Sequence, residues 1–346
     1  MAKKIRTGVI GLGKMGILHS ALVNMIPQAK LVSVHDMDKK LSRYVKRSGL
    51  DVAFHSRLDQ MLDTENLDAV FVCTPPFTHL PIAKECISRN LDVFVEKPLA
   101  ESLSSAKKMV SLVEQKDVIH ATGFNVAHIP LYRRAKAIFG KGALGKVHMF
   151  NISVYFSEVL RKKRGWFYDK SKSGGGVVID IASHLIYLVM LYFGLPQKVY
   201  ARTLNFYSDV EDCGSIMFEY KNGLTGTLDA NWSIPGYRLA TIEIAVEGEN
   251  GFMEITNDYI KLNLHRQIDD LEGGWTTLHK IDLQSTSHFD LGSEGYYDED
   301  RDFIECCLNR EKPQVSWKEG YEVQKVIEAV YLSAEAQRPV DMDSVP

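Results

Sequence analysis

The sequence predicts an α/β protein in two parts: an N-terminal doubly wound parallel sheet and a C-terminal α+β domain with a large, mostly antiparallel open sheet. Strand-like apolar runs alternate with helix-like segments up to residue 124. A glycine-rich turn joins the first strand to the first helix. Short strands separated by turn signals recur from residue 198 onward. We therefore expect residues 1–124 and 125–346 to form the two domains.

Composition limits the classes of function. The 346 residues are 45% apolar and 25% charged, as in a soluble globular protein with more than one core. The formal net charge of −3 gives no electrostatic case for binding nucleic acid or a membrane surface. The 5 scattered cysteines lack metal-ligand spacing and are typical of reduced thiols.

The sequence also predicts a cytoplasmic protein. Residues 1–6 lead directly into a strand, which leaves no room for the apolar segment of a signal peptide. The most apolar later stretch, residues 177–193, contains Asp180 and His184 and is short for a membrane span. We therefore expect no membrane association.

The first elements follow the order of a dinucleotide-binding unit. A strand at 5–10 leads into a glycine turn, a helix at 17–25 and a second strand at 31–34. The turn reads Gly11-Leu12-Gly13-Lys14-Met15-Gly16. Gly11 permits the tight turn, Gly13 lets backbone N–H groups approach a pyrophosphate, and Gly16 lets the helix pack against the strand. We expect this turn, with Lys14 and Met15, to bind a dinucleotide at the helix N-terminus.

Asp36 indicates which dinucleotide is bound. A carboxylate at the end of the second strand accepts hydrogen bonds from both ribose hydroxyls and repels a 2′-phosphate. NAD is therefore the predicted cofactor. Lys39 and Lys40 keep NADP as an alternative, because a nearby cation can accommodate the extra phosphate.

The alternation continues through the rest of the first domain. Further helices are predicted at 40–48, 58–62, 80–89 and 104–115, and further strands at 52–55, 69–74, 91–95 and 118–123. Ligands of such sheets lie beyond the carboxyl ends of the strands. We therefore expect Thr74 and Pro75 to contact the cofactor. His79 either does the same or caps the following helix.

Lys97 stands at another of these strand ends. The apolar run 93–95 is followed by Glu96, Lys97 and Pro98, and the proline restricts Lys97 to extended geometry. A lysine at this point can reach into a ligand crevice. The alternative is a solvated charge pair that opens a loop, and this stretch alone does not separate the two.

The second domain begins with Asn125 and has the pattern of an antiparallel sheet. Helices are predicted at 131–139, 296–309 and 318–336, and strands at 147–156, 198–206, 213–220, 224–232, 240–247, 251–256 and 259–265. One face of such a sheet can pack on another subunit, so we expect a homo-oligomer.

A second informative stretch runs from Ser173 to His184, where three glycines precede a helix. Asp180 and His184 are four residues apart, which places both side chains on one helical face. A carboxylate beside an imidazole orients it and raises its basicity. No HxxxH or HExxH spacing indicates a metal site, so none is expected. The alternative is a buried Asp–His pair that only holds the core together.

The motifs together resemble those of the glucose–fructose oxidoreductase / inositol dehydrogenase / MocA family. They occur in the order Gly11–Gly16, Thr74–His79, Glu96-Lys97-Pro98 and Gly174–His184. The resemblance spans essentially the whole chain. It implies an NAD(P)-binding Rossmann domain, a C-terminal domain with a large open sheet, and homodimers or homotetramers formed through that sheet.

The resemblance also implies roles for single residues. Lys97 would be the catalytic lysine and would contact both cofactor and substrate, with Glu96 near the nicotinamide ribose and Pro98 after a cis peptide. Asp180 and His184 would be catalytic and face the substrate. The remaining implied contacts are Asn125, to cofactor and substrate, and Tyr155, Arg164, Trp166 and Tyr168, to substrate.

Two departures from the family pattern affect substrate recognition. Many members carry an arginine soon after the asparagine that matches Asn125, whereas this chain has Val126, Ala127 and His128. Many also carry an acid where this chain has Tyr187. The sugar is therefore not identified by the resemblance.

The implied reaction is hydride transfer between a nicotinamide and a secondary alcohol or ketone of a sugar, cyclitol or sugar derivative. His184, held by Asp180, and Lys97 are alternative candidates for the base that removes the hydroxyl proton. Two other functions stay open. One is reduction of a 3-keto sugar, including a nucleotide-linked one, and the other is a non-catalytic dinucleotide-binding sensor of the same fold.

Overall fold

The computed structural model describes residues 3–283 and 295–346, and their contacts divide them into two units. The first unit contains the described residues up to His128 together with those from 295 to Tyr321. The second contains Ile129 to 283 and Glu322–Pro346. These units are not the two continuous segments 1–124 and 125–346, because the chain returns to the first unit near its end.

Except for the short helix Lys170–Ser173, which the sequence did not predict, the helices occur where they are predicted, with small shifts at the ends. They are α1 (Lys14–Met25), α2 (Ser42–Arg47), α3 (Leu58–Thr64), α4 (His79–Ser88), α5 (Leu103–Val113), α6 (Pro130–Gly140), α7 (Lys170–Ser173), α8 (Ser183–Phe193), α9 (Tyr296–Asn309) and α10 (Trp317–Ala336). A π-helical turn, Val178–Ala182, precedes α8, where the sequence predicts a continuous α-helix. Such turns occur mostly as bulges at functional sites.

The strands follow the predicted alternation. They are β1 (Ile5–Ile10), β2 (Ala29–His35), β3 (Ala53–His55), β4 (Ala69–Val72), β5 (Asp92–Glu96), β6 (His120–Gly123), β7 (Val147–Tyr155), β8 (Lys198–Leu204), β9 (Cys213–Glu219), β10 (Thr225–Asn231), β11 (Thr241–Gly248), β12 (Gly251–Ile255), β13 (Tyr259–Leu264), β14 (Gly274–His279) and β15 (Val340–Asp341). The sequence did not predict β14 and β15. Both lie at sheet edges, where a strand has one neighbour and little buried surface.

The first unit contains a parallel sheet with strand order β3-β2-β1-β4-β5-β6. This order confirms the predicted doubly wound fold and puts its switch point between β1 and β4. Alternate residues of the central strands β4 and β5 enter different cores. Val70 and Val93 pack in one cluster, and Phe71 and Phe94 pack in the other. Burial on both faces explains why these strands read as unbroken apolar runs.

The second unit contains a nine-stranded sheet in the order β14-β13-β12-β11-β7-β10-β9-β8-β15. Its neighbours are antiparallel except for β7 and β10, which confirms the prediction of a mostly antiparallel sheet. Strands β9 and β10 alternate buried with less buried residues. One face of the sheet therefore packs in the unit's core and the other carries the more accessible side chains.

Within residues 3–283 and 295–346, one helical run is long and apolar enough to span a membrane by length and composition alone. It covers Lys170–Phe193, and its most apolar window has a mean hydropathy of 1.9 with 61% of that window buried inside the protein. Core helices of soluble proteins meet the same criterion. Burial within its unit accounts for the apolar composition of this run.

Candidate active site

The glycine turn after β1 has the geometry of a phosphate cradle. Gly11 has a φ of +93°, in the left-handed region that favours glycine. A Cβ on Gly16 would lie 1.7 Å from the carbonyl oxygen of Gly11, so the start of α1 packs directly on the turn. A Cβ on Gly13 would meet no atom within 4 Å. Gly13 is also the N-cap of α1 and supplies no side-chain hydrogen bond, so the helix N-terminus is open to an anion.

Asp36 is held against this turn. Its Oδ2 accepts a hydrogen bond of 2.8 Å from the Leu12 N–H, and its Oδ1 accepts one of 2.8 Å from the Asp38 N–H. Each carboxylate oxygen keeps a second lone pair for a ribose hydroxyl. The open Gly13 position and the oriented Asp36 carboxylate fit the pyrophosphate and adenosine ribose of NAD.

The segment after β4 lies beside the glycine turn. A Cβ on Gly11 would approach the Cγ2 atom of Thr74 to 2.8 Å, which puts Thr74 and the half-buried Pro75 at the switch point. The Thr78 hydroxyl lies 2.7 Å from the Thr74 hydroxyl. Thr74 and Pro75 are thus at the edge where a dinucleotide crosses such sheets.

His79 has a structural position that sequence reasoning did not identify. It is fully buried; its Nε2 lies 2.7 Å from the Thr74 carbonyl oxygen and its Nδ1 lies 3.1 Å from that of Pro98. Burial lowers the pKa of His79, and its ring lies between the Thr74 and Pro98 segments. Contact of His79 with a cofactor remains a prediction.

Lys97 lies just beyond the carboxyl end of β5, the sheet edge that also carries the glycine turn and Asp36. The Lys97 N–H donates a hydrogen bond of 2.9 Å to Oε2 of Glu96, whose other oxygen lies 3.1 Å from Nε2 of His19. The Lys97–Pro98 peptide is cis, as the resemblance implies. Asn125 is buried in a 3₁₀ turn that follows β6 at the same edge.

Two site residues in the first unit are absent from the sequence prediction. They are His19 on α1 and Asp300 on α9, both fully buried, with His19 Nδ1 2.7 Å from Asp300 Oδ1. The sequence contained one signal for His19, which is a histidine in an otherwise apolar helical stretch, three residues after Gly16. Asp300 had no such signal, since an acidic run usually forms a solvated helix face.

Close packing requires two of the three consecutive glycines of the second unit, Gly175 and Gly176. A Cβ on Gly175 would lie 1.9 Å from the Tyr331 hydroxyl oxygen, and one on Gly176 would lie 2.0 Å from the Glu211 carbonyl oxygen. Glu211 Oε1 accepts hydrogen bonds from the Gly176 N–H at 2.8 Å, the Val178 N–H at 3.0 Å and the Tyr331 hydroxyl at 2.9 Å. Glu211 therefore anchors the first turn of the π-helix, a role that sequence reasoning missed.

Asp180 and His184 are at accessible positions of an otherwise buried segment. Between 175 and 189, every residue is buried except Asp180, Ile181 and His184, which are partly exposed. The two polar side chains can therefore be reached by a ligand, whereas the apolar residues around them form the core. Their accessibility weakens the alternative of a buried pair that only holds the core together.

The remaining predicted contacts of the second unit lie near the end of β7 and in the following loop. Tyr155 is half-buried, with its ring 5.6 Å from that of Tyr237. Arg164 and Trp166 are exposed, and Tyr168 is partly exposed. Exposure leaves these side chains available for binding. It does not identify a ligand.

The residues that depart from the family pattern are buried. Val126, Ala127 and His128 lie in the buried 3₁₀ turn with Asn125, and Tyr187 is 5% exposed on α8. Tyr187 thus occupies part of the apolar core of its unit.

Comparisons with known proteins match both halves of the chain. Residues 5–124 match the model of an oxidoreductase family with an NAD-binding Rossmann fold. Residues 132–254 match the GFO/IDH/MocA C-terminal domain. The matched segments coincide with the parallel sheet of the first unit and with a large part of the second unit's sheet.

Known relatives cover nearly the whole chain. Myo-inositol 2-dehydrogenase of Thermotoga maritima is 26% identical over 99% of both chains. The scyllo-inositol 2-dehydrogenase (NAD(+)) of Bacillus subtilis is 27% identical over 91% of this chain and 90% of its own. A levoglucosan dehydrogenase solved in complex with NADH and levoglucosan is 22% identical, with a TM-score of 0.88 over 99% of this chain and 100% of that chain.

Local geometry and overall similarity lead to the same assignment. The glycine turn, the oriented Asp36 and the doubly wound sheet provide a site for NAD, and both family models match in the expected order. The chain therefore belongs to the GFO/IDH/MocA family of NAD-binding oxidoreductases.

Proposed function

We propose that this protein is a cytoplasmic dehydrogenase that oxidises a secondary alcohol of a sugar or cyclitol to a ketone with NAD. Reduction of a 3-keto sugar or nucleotide-linked sugar is the same chemistry in reverse. Support for the substrate class comes from the relatives named for inositols. Support for a reducing compartment comes from the cysteines, all 5 of which are free thiols.

The position of Lys97 carries the proposal. It follows β5 at the carboxyl edge of the parallel sheet, where ligands of doubly wound folds bind. The glycine turn and Asp36 belong to the same edge and the same unit. A cation at this edge is placed to act on chemistry at the bound cofactor. A lysine in a solvated loop would not be placed in this way.

We assign separate tasks to the polar groups. NAD supplies the hydride acceptor, C4 of the nicotinamide. The Lys97 ammonium donates a hydrogen bond to the substrate oxygen and stabilises the negative charge that develops as its proton leaves. His184 accepts that proton, and the Asp180 carboxylate stabilises the resulting imidazolium. Asn125, Tyr155, Arg164, Trp166 and Tyr168 orient the substrate.

Proton transfer has an alternative assignment. The Lys97 amine can itself act as the base, with His184 only donating a hydrogen bond to the substrate oxygen. His184→Asn separates the two assignments. If His184 is the base, kcat falls sharply and its acid limb disappears from the pH profile. A retained acid limb would transfer the role to Lys97.

Lys97→Met tests the proposed function directly. Removing the ammonium should abolish turnover and leave NAD affinity, measured by fluorescence titration, nearly unchanged. Lys107→Met on the exposed face of α5 is the matched control and should turn over normally. Substantial activity in Lys97→Met would refute the assignment of Lys97.

The substrate can be found by a screen. NAD reduction is followed with inositols, free sugars and sugar phosphates, and then NADH oxidation is followed with keto derivatives and nucleotide sugars. A single substrate class with high kcat/KM supports the dehydrogenase. Tight NAD binding with no turnover on the whole panel would favour a non-catalytic sensor.

A further inference from the structure

Four buried titratable groups meet in the core of the first unit. They are His19 on α1, Glu96 at the end of β5, and Glu299 and Asp300 on α9. The side chains of His19 and Asp300 are 0% exposed and that of Glu96 is 8% exposed. Placing several ionisable groups in an apolar core is costly unless they interact. The proposed reaction uses neither His19, Glu299 nor Asp300.

Three of these groups form a continuous series of hydrogen bonds. Asp300 Oδ1 lies 2.7 Å from His19 Nδ1, and His19 Nε2 lies 3.1 Å from Glu96 Oε1. Glu96 Oε2 then accepts the Lys97 N–H at 2.9 Å. The series connects helix α1, which follows the glycine turn, and helix α9 with the peptide that carries Lys97.

The geometry favours a doubly protonated His19. Both ring nitrogens face carboxylate oxygens, and only an imidazolium donates from both. Burial opposes this charge, but the charge of Asp300 and the hydrogen bonds to Asp300 and Glu96 outweigh it and hold the pKa of His19 well above its usual value. The rings of Phe94 and Phe71, with centroids 5.2 Å and 5.6 Å away, add a favourable environment for a cation.

Burial disfavours ionisation of two other titratable groups near His19. Burial, with the nearby charge of Glu96, raises the pKa of Glu299 well above its usual value. Burial raises the pKa of the Cys73 thiol to about 12. His19 therefore interacts with two carboxylates, Glu96 and Asp300.

We propose that Asp300 and His19 are positioning residues for Lys97, which they hold in place through the Glu96 carboxylate. This proposal rests on the proposed role of Lys97. Asp300 keeps His19 protonated and oriented. His19 holds Glu96 Oε1 by a hydrogen bond, so that Glu96 Oε2 continues to accept the Lys97 N–H. A carboxylate free to rotate would release that peptide and widen the range of positions open to the Lys97 side chain.

A divalent cation is the competing occupant of this cluster. Ligand atoms of His19, Glu299 and Asp300 lie within 4.8 Å of one another, and both Glu299 oxygens are buried without a hydrogen-bond partner. A metal needs a neutral imidazole with a free lone pair and ionised carboxylates. The hydrogen bonds on both nitrogens of His19 and the raised pKa of Glu299 favour the hydrogen-bonded series instead.

The protonation state of His19 is measurable without turnover. Protein with ¹⁵N-labelled histidine should show at pH 8 one histidine with both nitrogens protonated, and this signal should vanish in His19→Gln. His120 provides an internal contrast, because burial lowers its pKa to about 4 and its ring is neutral at this pH. A neutral His19 at pH 8 would overturn the proposal.

Kinetics test the positioning role. In His19→Gln and Asp300→Asn we expect kcat to fall roughly 10- to 100-fold, as misplacement of a catalytic group does, with NAD affinity unchanged. Asp300→Asn keeps the shape of the side chain and serves as the second variant if His19→Gln fails to fold. His120→Gln is the matched control and should keep wild-type kcat. Normal kcat in a folded Asp300→Asn protein would refute the role.

The pH profile separates positioning from mere stability. A histidine whose pKa is raised by folding contributes stability below its unfolded pKa, and this contribution is lost as the pH rises through its folded pKa. Without the Asp300 charge, that folded pKa is lower. The alkaline loss of kcat in Asp300→Asn should therefore begin at a lower pH than in the wild type. If the pH profile of kcat in Asp300→Asn matches that of the wild type, titration of His19 does not cause the alkaline loss of kcat.

Two results separate failure of this proposal from failure of the proposed function. Tight NAD binding with no turnover on the whole substrate panel would remove the proposed function, while the His19 signal would still report the buried series. One equivalent of tightly bound divalent metal, measured by elemental analysis and lost in Glu299→Gln, would replace the hydrogen-bonded series with a metal site.

Discussion

Asp36 shows how the backbone prepares a single side chain for its ligand. Its two oxygens are already oriented by the N–H groups of Leu12 and Asp38. A preorganised acceptor loses little conformational freedom when it binds the ribose hydroxyls. The same negative charge opposes a 2′-phosphate, so one residue favours NAD and disfavours NADP.

Replacing Asp36 should change the cofactor preference. In Asp36→Ser we expect kcat/KM with NAD to fall about tenfold or more, since a hydrogen bond to a charged group contributes roughly 1.5–3 kcal/mol. Relative use of NADP should rise because the repulsion is removed. The measurement is kcat/KM with each cofactor at saturating substrate.

The control for this change is another carboxylate of the same unit. Asp51→Ser alters an exposed side chain and should leave the preference for NAD unchanged. If the wild type and Asp36→Ser prefer NAD over NADP to the same degree, Asp36 does not bind the ribose hydroxyls.

At the scale of an element, the segment before α8 is shaped by what packs against it. Gly175 and Gly176 leave space for Tyr331 and for the backbone of Glu211. The Glu211 carboxylate holds two N–H groups at the start of the π-helix. Because the same helical segment carries Asp180 and His184, its anchoring sets the positions of both side chains.

A methyl group on Gly176 should destabilise this element. Its Cβ would lie 2.0 Å from the Glu211 carbonyl oxygen, and the backbone must shift to relieve the overlap. Overpacking of this kind costs about 1–3 kcal/mol, which should lower the Tm of Gly176→Ala by several degrees in thermal unfolding.

Gly140→Ala is the matched control in the same unit. Gly140 ends α6 and has no atom within 4 Å of an added Cβ. Its substitution should leave the Tm unchanged or raise it slightly, because alanine reduces the entropy of the unfolded chain. Wild-type stability of Gly176→Ala would contradict the packing argument.

At the scale of the whole molecule, the accessible face of the second unit's sheet has an uncharged row across five strands. The register aligns the side chains of Tyr200, Met217, Thr227, Asn151 and Ala245. Met217 is 44% exposed and Met149, two residues before Asn151 on β7, is 43% exposed. An exposed face without charge at its centre is suited to association, and we propose it as the contact between subunits of a homodimer or homotetramer.

A charge at the centre of this row should weaken the oligomer. Met217→Glu places a carboxylate against its own copy or against apolar surface, so the mass measured by light scattering should fall toward 39.0 kDa. Leu195→Glu, at an exposed leucine in the turn after α8, is the control and should keep the wild-type mass. A monomeric wild-type protein would refute the subunit contact.

The sequence by itself determined the fold class, the family and the cofactor. Strand and helix periodicities depend on local burial patterns, so β1 to β6 were predicted to within a few residues. The glycine turn and Asp36 lie close together along the chain, and their spacing alone indicated a dinucleotide site. The edge strands β14 and β15 were missed because they bury too little surface to leave a pattern.

Tertiary structure decided which groups interact across long stretches of chain. His19, Glu96 and Asp300 form one hydrogen-bonded series, although hundreds of positions separate the first from the last. Glu211 lies outside the Gly174–His184 motif and likewise binds the glycine run, by accepting a hydrogen bond from the Gly176 N–H. Hydrogen bonds and buried charges depend on distances of about 3 Å in the folded chain, and spacing along the sequence does not encode those distances.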